Sequence, residues 1–460
     1  MKPLLIGLSL TMVHFLASAQ CPSGSIVLGS QADIDNFSVN FPNCTDFNAT
    51  ILIDEIDGPV NNLAGLSNLN SISSLSIQYT HLENFTGLEN LSQINEFRLF
   101  RNDQLQNFTG LEGLSEVLSF NVLQNDGLAT TAGLQNLTNM GYLNLYANEQ
   151  LSDLVGFSNI TNLASLRIVG NNISSLSELT NLNTILDELY ISGEPLTDLN
   201  HLAQSLQDFS GSLHLVNNAI LEDVTVFSSL TSLDKLIIVG SENLSDFTGF
   251  ENLGSVTGLF RIGFNPEISD FTSFSSLNSV GSLDIYENEN LLSLNGLESL
   301  TQVSQSVYLM DNPLLSDIAA VENVAAQGLQ QLVIARNTSL SVCDYDFVCN
   351  VIFDPDIPEE IQGNANGCNS VLQVAARCIL GSQDQSLDLE LSLWPNPAKD
   401  YVYLQSLNST VDKVMIYTLG GALVDEVSSD RIDISNYAQG LYFLTVFTDQ
   451  GIGQLQLIKQ

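Results

Sequence analysis

Positive charge is scarce in this 460-residue chain, which has 12 Lys and Arg residues against 52 Asp and Glu residues. Its formal net charge at neutral pH is therefore −40. A polyanion repels nucleic-acid phosphates and anionic lipid surfaces, so we expect neither nucleic acid nor a membrane surface as a partner. Solubility is the simplest cause of the overall charge.

Histidine and the common catalytic motifs are also sparse. His81, His201 and His214 are far apart along the chain, and the sequence has no His-Glu-x-x-His motif, Gly-x-Ser-x-Gly motif or phosphate-binding glycine loop. Acidic loop residues such as Asp103 and Asp126 lack the dense carboxylate spacing of a calcium-binding loop. We therefore expect a protein that is not an enzyme and has no metal or cofactor.

Long apolar runs are absent except at the N-terminus. Lys2 precedes an apolar segment at residues 4–16, and Ala17-Ser18-Ala19 supplies a small-residue cleavage site. This pattern predicts a secretory signal peptide over residues 1–19 and no membrane-spanning segment afterwards. Lipidation at Cys21 is a weaker alternative, because the residue before it, Gln20, is not small.

A repeat of 22 to 25 residues fills most of the chain and recurs about a dozen times. Its core is Leu-x-x-Leu-x-Leu-x-x-Asn, and this period is typical of a solenoid whose neighbouring repeats bury one common core. The two alternating apolar residues predict a short strand with one buried face. Accordingly, we expect Leu145, Ile168 and Ile285 to be buried and Asn144, Arg167 and Asp284 to be exposed.

Two further signatures accompany each predicted strand. Asn ends the motif in nine repeats, and Thr80, Glu194 and Ser241 replace it in three others. We expect this column to hydrogen-bond backbone groups of neighbouring turns. The segment Asn84-Phe85-Thr86-Gly87-Leu88-Glu89 recurs at residues 107–112 and, with small changes, at 246–251. Its Gly permits a tight return of the chain, and so short a return predicts 3₁₀ turns or short helices.

Six cysteines flank the repeats, at Cys21, Cys44, Cys343, Cys349, Cys368 and Cys378. An even number in an exported protein indicates disulfides, which would staple the open ends of a solenoid. We predict a Cys21–Cys44 bond. The expected organisation is an N-terminal cap at 20–50, a solenoid at 51–342, a cysteine-rich C-terminal cap at 343–378 and a linker at 379–390.

The repeats resemble the leucine-rich repeats of exported bacterial proteins that are similar to receptor L-domains. Gly211-Ser212-Leu213-His214-Leu215 and Gly281-Ser282-Leu283-Asp284-Ile285 are close to the Gly-x-Leu-x-Ile phrase of that family, and the resemblance covers residues 51–342. It implies a mostly β, right-handed solenoid with a parallel sheet on its concave side. By analogy with the caps of such arrays, we expect Cys343–Cys368 and Cys349–Cys378 disulfides.

Residues 391–460 break the repeat. Short alternating segments at 401–404, 411–418, 422–427 and 441–448, punctuated by Gly420-Gly421, predict a small β-sandwich. The segments Trp394-Pro395-Asn396-Pro397-Ala398 and Ala438-Gln439-Gly440-Leu441-Tyr442-Phe443 resemble the type A sorting domain of the type IX secretion system of Bacteroidetes. Trp394 stands where Tyr or Phe is more usual. The resemblance implies recognition by the secretion machinery and export across the outer membrane, followed by surface attachment or release.

The few basic residues of the solenoid are not scattered. All six lie in the seven residues before the Asn position, whereas only seven of about 33 acidic residues lie there. Aromatic residues alternate outward in the same strands. We therefore predict a binding face on the sheet formed by Arg98, Phe100, Tyr142, Tyr146, Arg167, Tyr190, Lys235, Arg261, Tyr286 and Tyr308, with Arg101 and Arg336 at strand ends.

The strand face is the natural binding surface of a solenoid, and Tyr and Arg are typical contact residues. We expect a surface or secreted adhesion protein that recognises an extracellular polysaccharide or a cell-surface protein. Aromatic faces suit sugar rings, while the outward side chains of Leu123, Val216, Val239 and Met310 suit a protein. The alternative is a structural component without a specific ligand, because aromatics favour strands anyway and Arg can pair with acids such as Asp284.

Overall fold

Two units make up the chain, Met1–Gly211 and Ser212–Gln460. The computed structural model describes residues 20–381, 391–407, 409–418, 422–449 and 451–460. The predicted signal peptide, most of the predicted linker and the Gly420-Gly421 turn lie outside these residues.

The first unit is a stack of parallel strands that begins with a cap. Its strands are β1 (Ile26–Leu28), β2 (Asp46–Asp54), β3 (Ser71–Gln78), β4 (Gln93–Phe100), β5 (Glu116–Leu123), β6 (Asn139–Tyr146), β7 (Asn162–Val169) and β8 (Thr184–Ser192). Each strand pairs in parallel with the next, in the register of the sequence repeat. The cap also contains helix α1 (Gln31–Asn40), which the sequence did not predict and which buries Ile34 and Phe37.

The second unit continues the same pattern of parallel pairing. Its repeat strands are β9 (Ser212–Val216), β10 (Ser232–Leu233), β11 (Lys235–Val239), β12 (Ser255–Gly263), β13 (Ser279–Tyr286), β14 (Gln302–Val303), β15 (Ser306–Met310), β16 (Gln331–Ala335) and β17 (Glu359–Gln362). Helices α2 (Asp346–Ile352) and α3 (Val371–Gly381) follow the last full repeat. Helix α3 extends into the predicted linker. Among the described residues, no helix has both the length and the apolar character needed to cross a membrane.

The returns between strands are short, as the repeat length requires. The 3₁₀ turns among the described residues are Ala64–Leu66, Val155–Phe157, Ser177–Leu179, Asn200–Leu202, Thr225–Ser229, Thr272–Phe274 and Ala319–Val321. The motif side chains Leu145, Ile168 and Ile285 are fully buried, as predicted. Gly110 has a φ of 98°, and a Cβ at this position would overlap the backbone of Phe85. The return glycine is therefore needed both for its conformation and for close contact between repeats.

The Asn column is a hydrogen-bonded ladder, as predicted. Asn148 Nδ2 donates to the carbonyl of Val122 at 3.0 Å, and Asn148 Oδ1 accepts from the backbone N–H of Asn125 at 3.0 Å. The same pattern relates Asn288 to Ile262 and Asn265. These side chains satisfy backbone groups that would otherwise be buried without partners.

A carboxylate, Glu194, takes the Asn position at the last strand of the first unit. Its Oε1 accepts from the backbone and side-chain nitrogens of Asn171, and its Oε2 accepts from the N–H of Ile173 at 3.0 Å. Burial raises the pKa of Glu194 above its ordinary value, although these hydrogen bonds lower it.

All three predicted disulfides are present, which confirms the stapled ends of the array. Cys21 pairs with Cys44, Cys343 with Cys368 and Cys349 with Cys378. With Cys21 in a disulfide, its thiol is not free for the alternative role of a lipid attachment site. The Cys343–Cys368 bond joins the end of the last repeat to the segment before α3, and the Cys349–Cys378 bond joins α2 to α3.

The C-terminal segment is a small antiparallel β-sandwich, as predicted. Its strands are β18 (Leu391–Trp394), β19 (Tyr401–Ser406), β20 (Val411–Thr418), β21 (Leu423–Val427), β22 (Arg431–Asp433), β23 (Gly440–Thr448) and β24 (Gly451–Lys459). One sheet has the order β18-β19-β22 and the other β21-β20-β23-β24. Val402, Val414, Leu444 and Leu457 are fully buried in its core. Strands β18, β22 and β24 were not among the predicted segments.

Candidate functional site

In each unit, the side chains that point away from the core form a surface of the parallel sheet, which we call the outer face. In the first unit the pairing aligns these side chains in rows across β3 to β8. The middle row is Ser76, Arg98, Asn121, Asn144, Arg167 and Tyr190, and the following row is Gln78, Phe100, Leu123, Tyr146, Val169 and Ser192. A third row, Ser74, Glu96, Ser119, Tyr142, Ser165 and Glu188, precedes both.

The predicted site residues divide between the two units. Arg98, Phe100, Tyr142, Tyr146, Arg167 and Tyr190 lie on the outer face of the first unit, and Lys235, Arg261, Tyr286 and Tyr308 on that of the second. Tyr142 and Tyr146 are the most open aromatic residues of the ten, with 51% and 45% of their surface exposed. The other aromatic members are half-buried because they pack against neighbouring side chains.

Four of the six basic residues of the repeats are paired with carboxylates. Arg167 Nη1 lies 2.8 Å from Glu188 Oε1, and its guanidinium lies 4.1 Å from the centroid of the Tyr190 ring. Arg336 donates two hydrogen bonds of 2.6 Å to Asp311, and Asp311 raises the pKa of Arg336 further. Lys235 has a longer contact of 3.9 Å with its neighbour Asp234. These pairs neutralise each other on the sheet.

The fourth pair, Arg261 with Asp284, corrects one expectation. Asp284 points outward, as the register requires, but only 6% of its surface is exposed. The longer side chains of Arg261 and Tyr308 flank it in register and cover it. Arg261 Nε donates to Asp284 Oδ2 at 2.7 Å, while Oδ1 is buried and accepts no hydrogen bond from the described residues. Burial raises the pKa of Asp284, against the lowering effect of Arg261.

Arg98 and Arg101 are the remaining two basic residues of the repeats, and their hydrogen-bond partners are neutral. Arg98 Nη1 donates to Gln78 Oε1 at 3.3 Å, and Arg101 Nε donates to Gln124 Oε1 at 3.1 Å. Both guanidinium groups lie near the Phe100 ring, at 4.9 and 5.5 Å from its centroid. The ring therefore holds two cations on one part of the outer face.

A further outward position was missed at the sequence level. The residue just before the Asn position has a positive φ in repeat after repeat: Tyr79, Arg101, Gln124, Ala147, Asn217, Phe264, Glu287, Asp311 and Arg336, with Gly at other repeats. This left-handed conformation turns the side chain toward the edge of the outer face. It places Tyr79 against Phe100, and Phe264 against Tyr286, each with ring centroids 5.4 Å apart. The fixed distance from the Asn column was the available signal.

The acidic residues of the returns serve local turns. Glu89 Oε1 accepts from the N–H of Gly87 at 2.9 Å, and Glu112 Oε2 accepts from that of Gly110 at 2.9 Å. Asp246 Oδ1 accepts from the N–H of Thr248 at 2.8 Å, and hydrogen bonds from the side chain and the backbone of Thr248 lower the pKa of Asp246. These three carboxylates thus stabilise the turns of the returns and lie outside the strands.

A family of known domains and a solved structure are similar to parts of this chain. Residues 392–460 match the family described as the secretion system C-terminal sorting domain. An internalin from Listeria monocytogenes, known from its crystal structure, is 20% identical, with 66% of this chain and 82% of the internalin covered and a TM-score of 0.43. A TM-score this low carries no conclusion, and the solenoid fold rests on the strand pairings above. No similarity to a curated protein was found.

The chain therefore joins a leucine-rich-repeat solenoid to a sorting domain of the type IX secretion system. The family match begins at residue 392, one residue from the predicted start of this domain, and spans its β-sandwich. Such a domain marks a protein for export across the outer membrane. The protein is accordingly a cell-surface or secreted protein, as the sequence predicted.

Proposed function

We propose that this exported protein is a non-enzymatic binding or adhesion protein whose outer face in the first unit holds an extracellular macromolecule. The observation that carries the proposal is the contrast between that face and the rest of a chain of net charge −40. The face presents two widely exposed tyrosines and two arginines with no carboxylate partner among the described residues. Exposed aromatic and Arg side chains are the usual anchors of binding surfaces.

The absence of a catalytic role is part of the proposal and has its own support. Most of the polar side chains buried in the repeats belong to the Asn ladder, in which Asn102 and Asn148 hydrogen-bond backbone carbonyls and their own N–H groups donate to the next Asn of the column. Catalysis needs polar groups free to meet a substrate in a shaped cleft. A broad sheet surface with exposed tyrosines suits contact with an extended ligand instead.

A structural role without a specific ligand is the second candidate. It is favoured by the internal pairing of Arg167, Arg261 and Arg336, which gives these three residues a role within the sheet. Arg98, Arg101, Tyr142 and Tyr146 have no such pairing with a carboxylate among the described residues. The two candidates therefore make different predictions for the last four residues.

The proposal is tested by binding of the full chain to a glycan array and to cells of neighbouring species. Tyr142→Ser combined with Tyr146→Ser is expected to weaken binding about 10- to 100-fold, the usual effect of losing one or two contact anchors. Neither side chain lies in the core, so the melting temperature should stay within a few degrees of the parent.

The matched control removes exposed apolar area elsewhere in the first unit. Val39 and Ile56 are even more exposed than the two tyrosines but lie outside the outer-face rows. Val39→Ser with Ile56→Ser should bind like the parent protein. Equal binding by both double variants would remove the outer face of the first unit from consideration and favour the structural role.

A further inference from the structure

Arg98 and Arg101 differ from the other basic residues of the repeats because they have no carboxylate partner among the described residues. Arg98 occupies the same row of the outer face as Arg167, yet Arg167 has the carboxylate of Glu188 at 2.8 Å. Within the described residues, no carboxylate oxygen lies within ion-pair distance of Arg98 or Arg101. Although the protein has 52 acidic residues, these two neighbouring arginines have no ion pair among the described residues.

The two guanidinium groups are held in place while most of their donors stay open. A guanidinium has five N–H donors. Arg98 uses one of them on Gln78 and Arg101 one on Gln124, and no other acceptor among the described residues takes the rest. The Phe100 ring, 4.9 and 5.5 Å from the two guanidinium carbons, supports both cations. Such preorganisation lowers the entropy cost of binding an anion.

Two acids on the strands around Arg98, Asp54 and Glu96, form no ion pair with it. Gln78 Nε2 donates to Asp54 Oδ2 at 2.8 Å, so the amide of Gln78 stands between that carboxylate and Arg98. Glu96 lies in the preceding row, in register with Ser74 and Ser119. The overall charge acts weakly at this point, since the Debye length is only about 8 Å at physiological ionic strength.

We propose that Arg98 and Arg101 bind an anionic group, a carboxylate or a sulfate, of an acidic extracellular polysaccharide. Arg is well suited to this because its planar fork matches oxyanions in a bidentate manner. Tyr79, with 47% of its surface exposed and its ring against Phe100, offers an aromatic face to the adjoining sugar. The inference rests on the proposed binding role of the outer face and specifies its ligand.

The surroundings of the pair favour a polysaccharide over an acidic protein segment. The core of a protein–protein interface is apolar. Here the positions in register with Arg98 on the next two strands are the amides of Asn121 and Asn144, whose side chains are joined by a 3.2 Å hydrogen bond from Asn144 Nδ2 to Asn121 Oδ1, and Leu123 beside Phe100 is the aliphatic neighbour in the next row. Exposed aromatic rings among uncharged amides match the hydroxyl-rich and ring-shaped surface of a sugar chain.

The test measures binding of the full chain to three polysaccharide probes, which are polygalacturonate, dextran sulfate and uncharged dextran. The parent protein is expected to bind at least one of the two anionic probes and to bind it better than dextran. Arg98→Gln with Arg101→Gln should weaken that binding by about tenfold or more, the loss expected for charge-assisted hydrogen bonds. The ratio between the two anionic probes tells whether a carboxylate or a sulfate is preferred.

Arg377→Gln with Lys413→Gln is the matched control, because it removes two positive charges that lie outside the outer face. Arg377 is already paired with Asp344 and Lys413 with Glu426, so binding should stay within about twofold of the parent. Equal losses for the control and the double variant would overturn the proposal, since only general charge would then matter. Binding of poly-glutamate with the same Arg98 and Arg101 dependence, and of neither anionic polysaccharide, would also overturn it in favour of an acidic protein partner.

Failure of this inference can be told apart from failure of the proposed function. If the Tyr142 and Tyr146 variants lose binding to an array ligand while the Arg98 and Arg101 variants keep it, the outer face binds but the ligand is not recognised by its charge. If neither set of variants changes binding, the outer face itself is ruled out and the inference falls with it.

Discussion

The repeats of the first unit and those of the second have the same interior and different outer faces. In both, buried Leu, Ile and Phe side chains face the core and the Asn ladder joins successive turns. On the outer face of the second unit, every basic residue of the strands has a carboxylate partner. In the first unit, Arg98 and Arg101 have only the neutral amides of Gln78 and Gln124.

This difference distinguishes the positions that the fold requires from the positions that a ligand would select. Interior positions are fixed by burial and by the need to satisfy the backbone, so they repeat in both units. Outer positions are free of both demands and vary. Unpaired arginines add little to the stability of a sheet, so a binding role explains them better than a structural one.

The largest expected loss of stability comes from replacing the return glycines, which test whether the two units share one kind of interior. Gly110→Ala in the first unit and Gly296→Ala in the second would each push a Cβ into the backbone of the preceding repeat, at Phe85 and Phe271. Each should lower the free energy of unfolding by about 3 kcal/mol or more, measured by urea denaturation.

The control for this prediction separates conformation from contact. Gly24 and Gly328 also have positive φ angles, of 89° and 94°, but a Cβ there meets nothing within 4 Å. Gly24→Ala and Gly328→Ala should cost only about 1 kcal/mol. Similar losses at all four positions would mean that contact between repeats is not the reason for the return glycine.

The second expected effect concerns the ladder. Asn148→Ala and Asn288→Ala each remove a side chain that bonds two neighbouring turns and leave buried backbone groups without partners. We expect each to lower the free energy of unfolding by about 2–4 kcal/mol, and by similar amounts in the two units. A loss confined to one unit would contradict a common interior rule.

The third prediction compares an arginine of the second unit with one of the first. Arg261→Ala should cost about 1–3 kcal/mol of stability, because it leaves the buried Asp284 without its donor. Arg98→Ala leaves no carboxylate behind and should cost less than about 1 kcal/mol. The two variants can be compared by thermal and urea unfolding. Equal costs would show that both arginines are structural.

The smallest effect is a pH dependence at Asp284. Burial raises the pKa of this carboxyl above its ordinary value of 3.8, so the folded state binds the proton more tightly than the unfolded state. Its contribution to stability is fully present below the unfolded pKa and is lost as the pH rises through the folded pKa. The free energy of unfolding of the parent, relative to Asp284→Asn, should therefore fall from acid to neutral pH.

The opposite slope in that experiment would mean that the hydrogen bond and charge of Arg261 outweigh burial. In that case Asp284→Asn would lose stability relative to the parent as the pH rises. The Arg261→Ala background provides the control, because it removes the lowering influence and should steepen the expected slope.

Much of the outer face follows from the sequence, because alternation in a strand places every second side chain outward. Arg98, Tyr142 and Tyr146 were assigned correctly on this basis. Asp284 was assigned to the outer face correctly but wrongly expected to be exposed, since its cover comes from side chains one repeat away. Tyr79 and Phe264 were missed because their direction depends on a left-handed backbone conformation, which alternation does not predict.

The amino-acid sequence by itself determined the repeat, the buried positions, the Asn ladder, the disulfide-stapled ends and the sorting domain. These are set by periodic burial, local hydrogen bonding and motifs of adjacent residues, all of which are visible along one chain. Only the tertiary structure decided which basic residues are neutralised. That depends on side chains that are 20 or 21 residues apart in sequence and neighbours across the sheet, where Arg167 meets the carboxylate of Glu188 at 2.8 Å and Arg98 meets the neutral amide of Gln78.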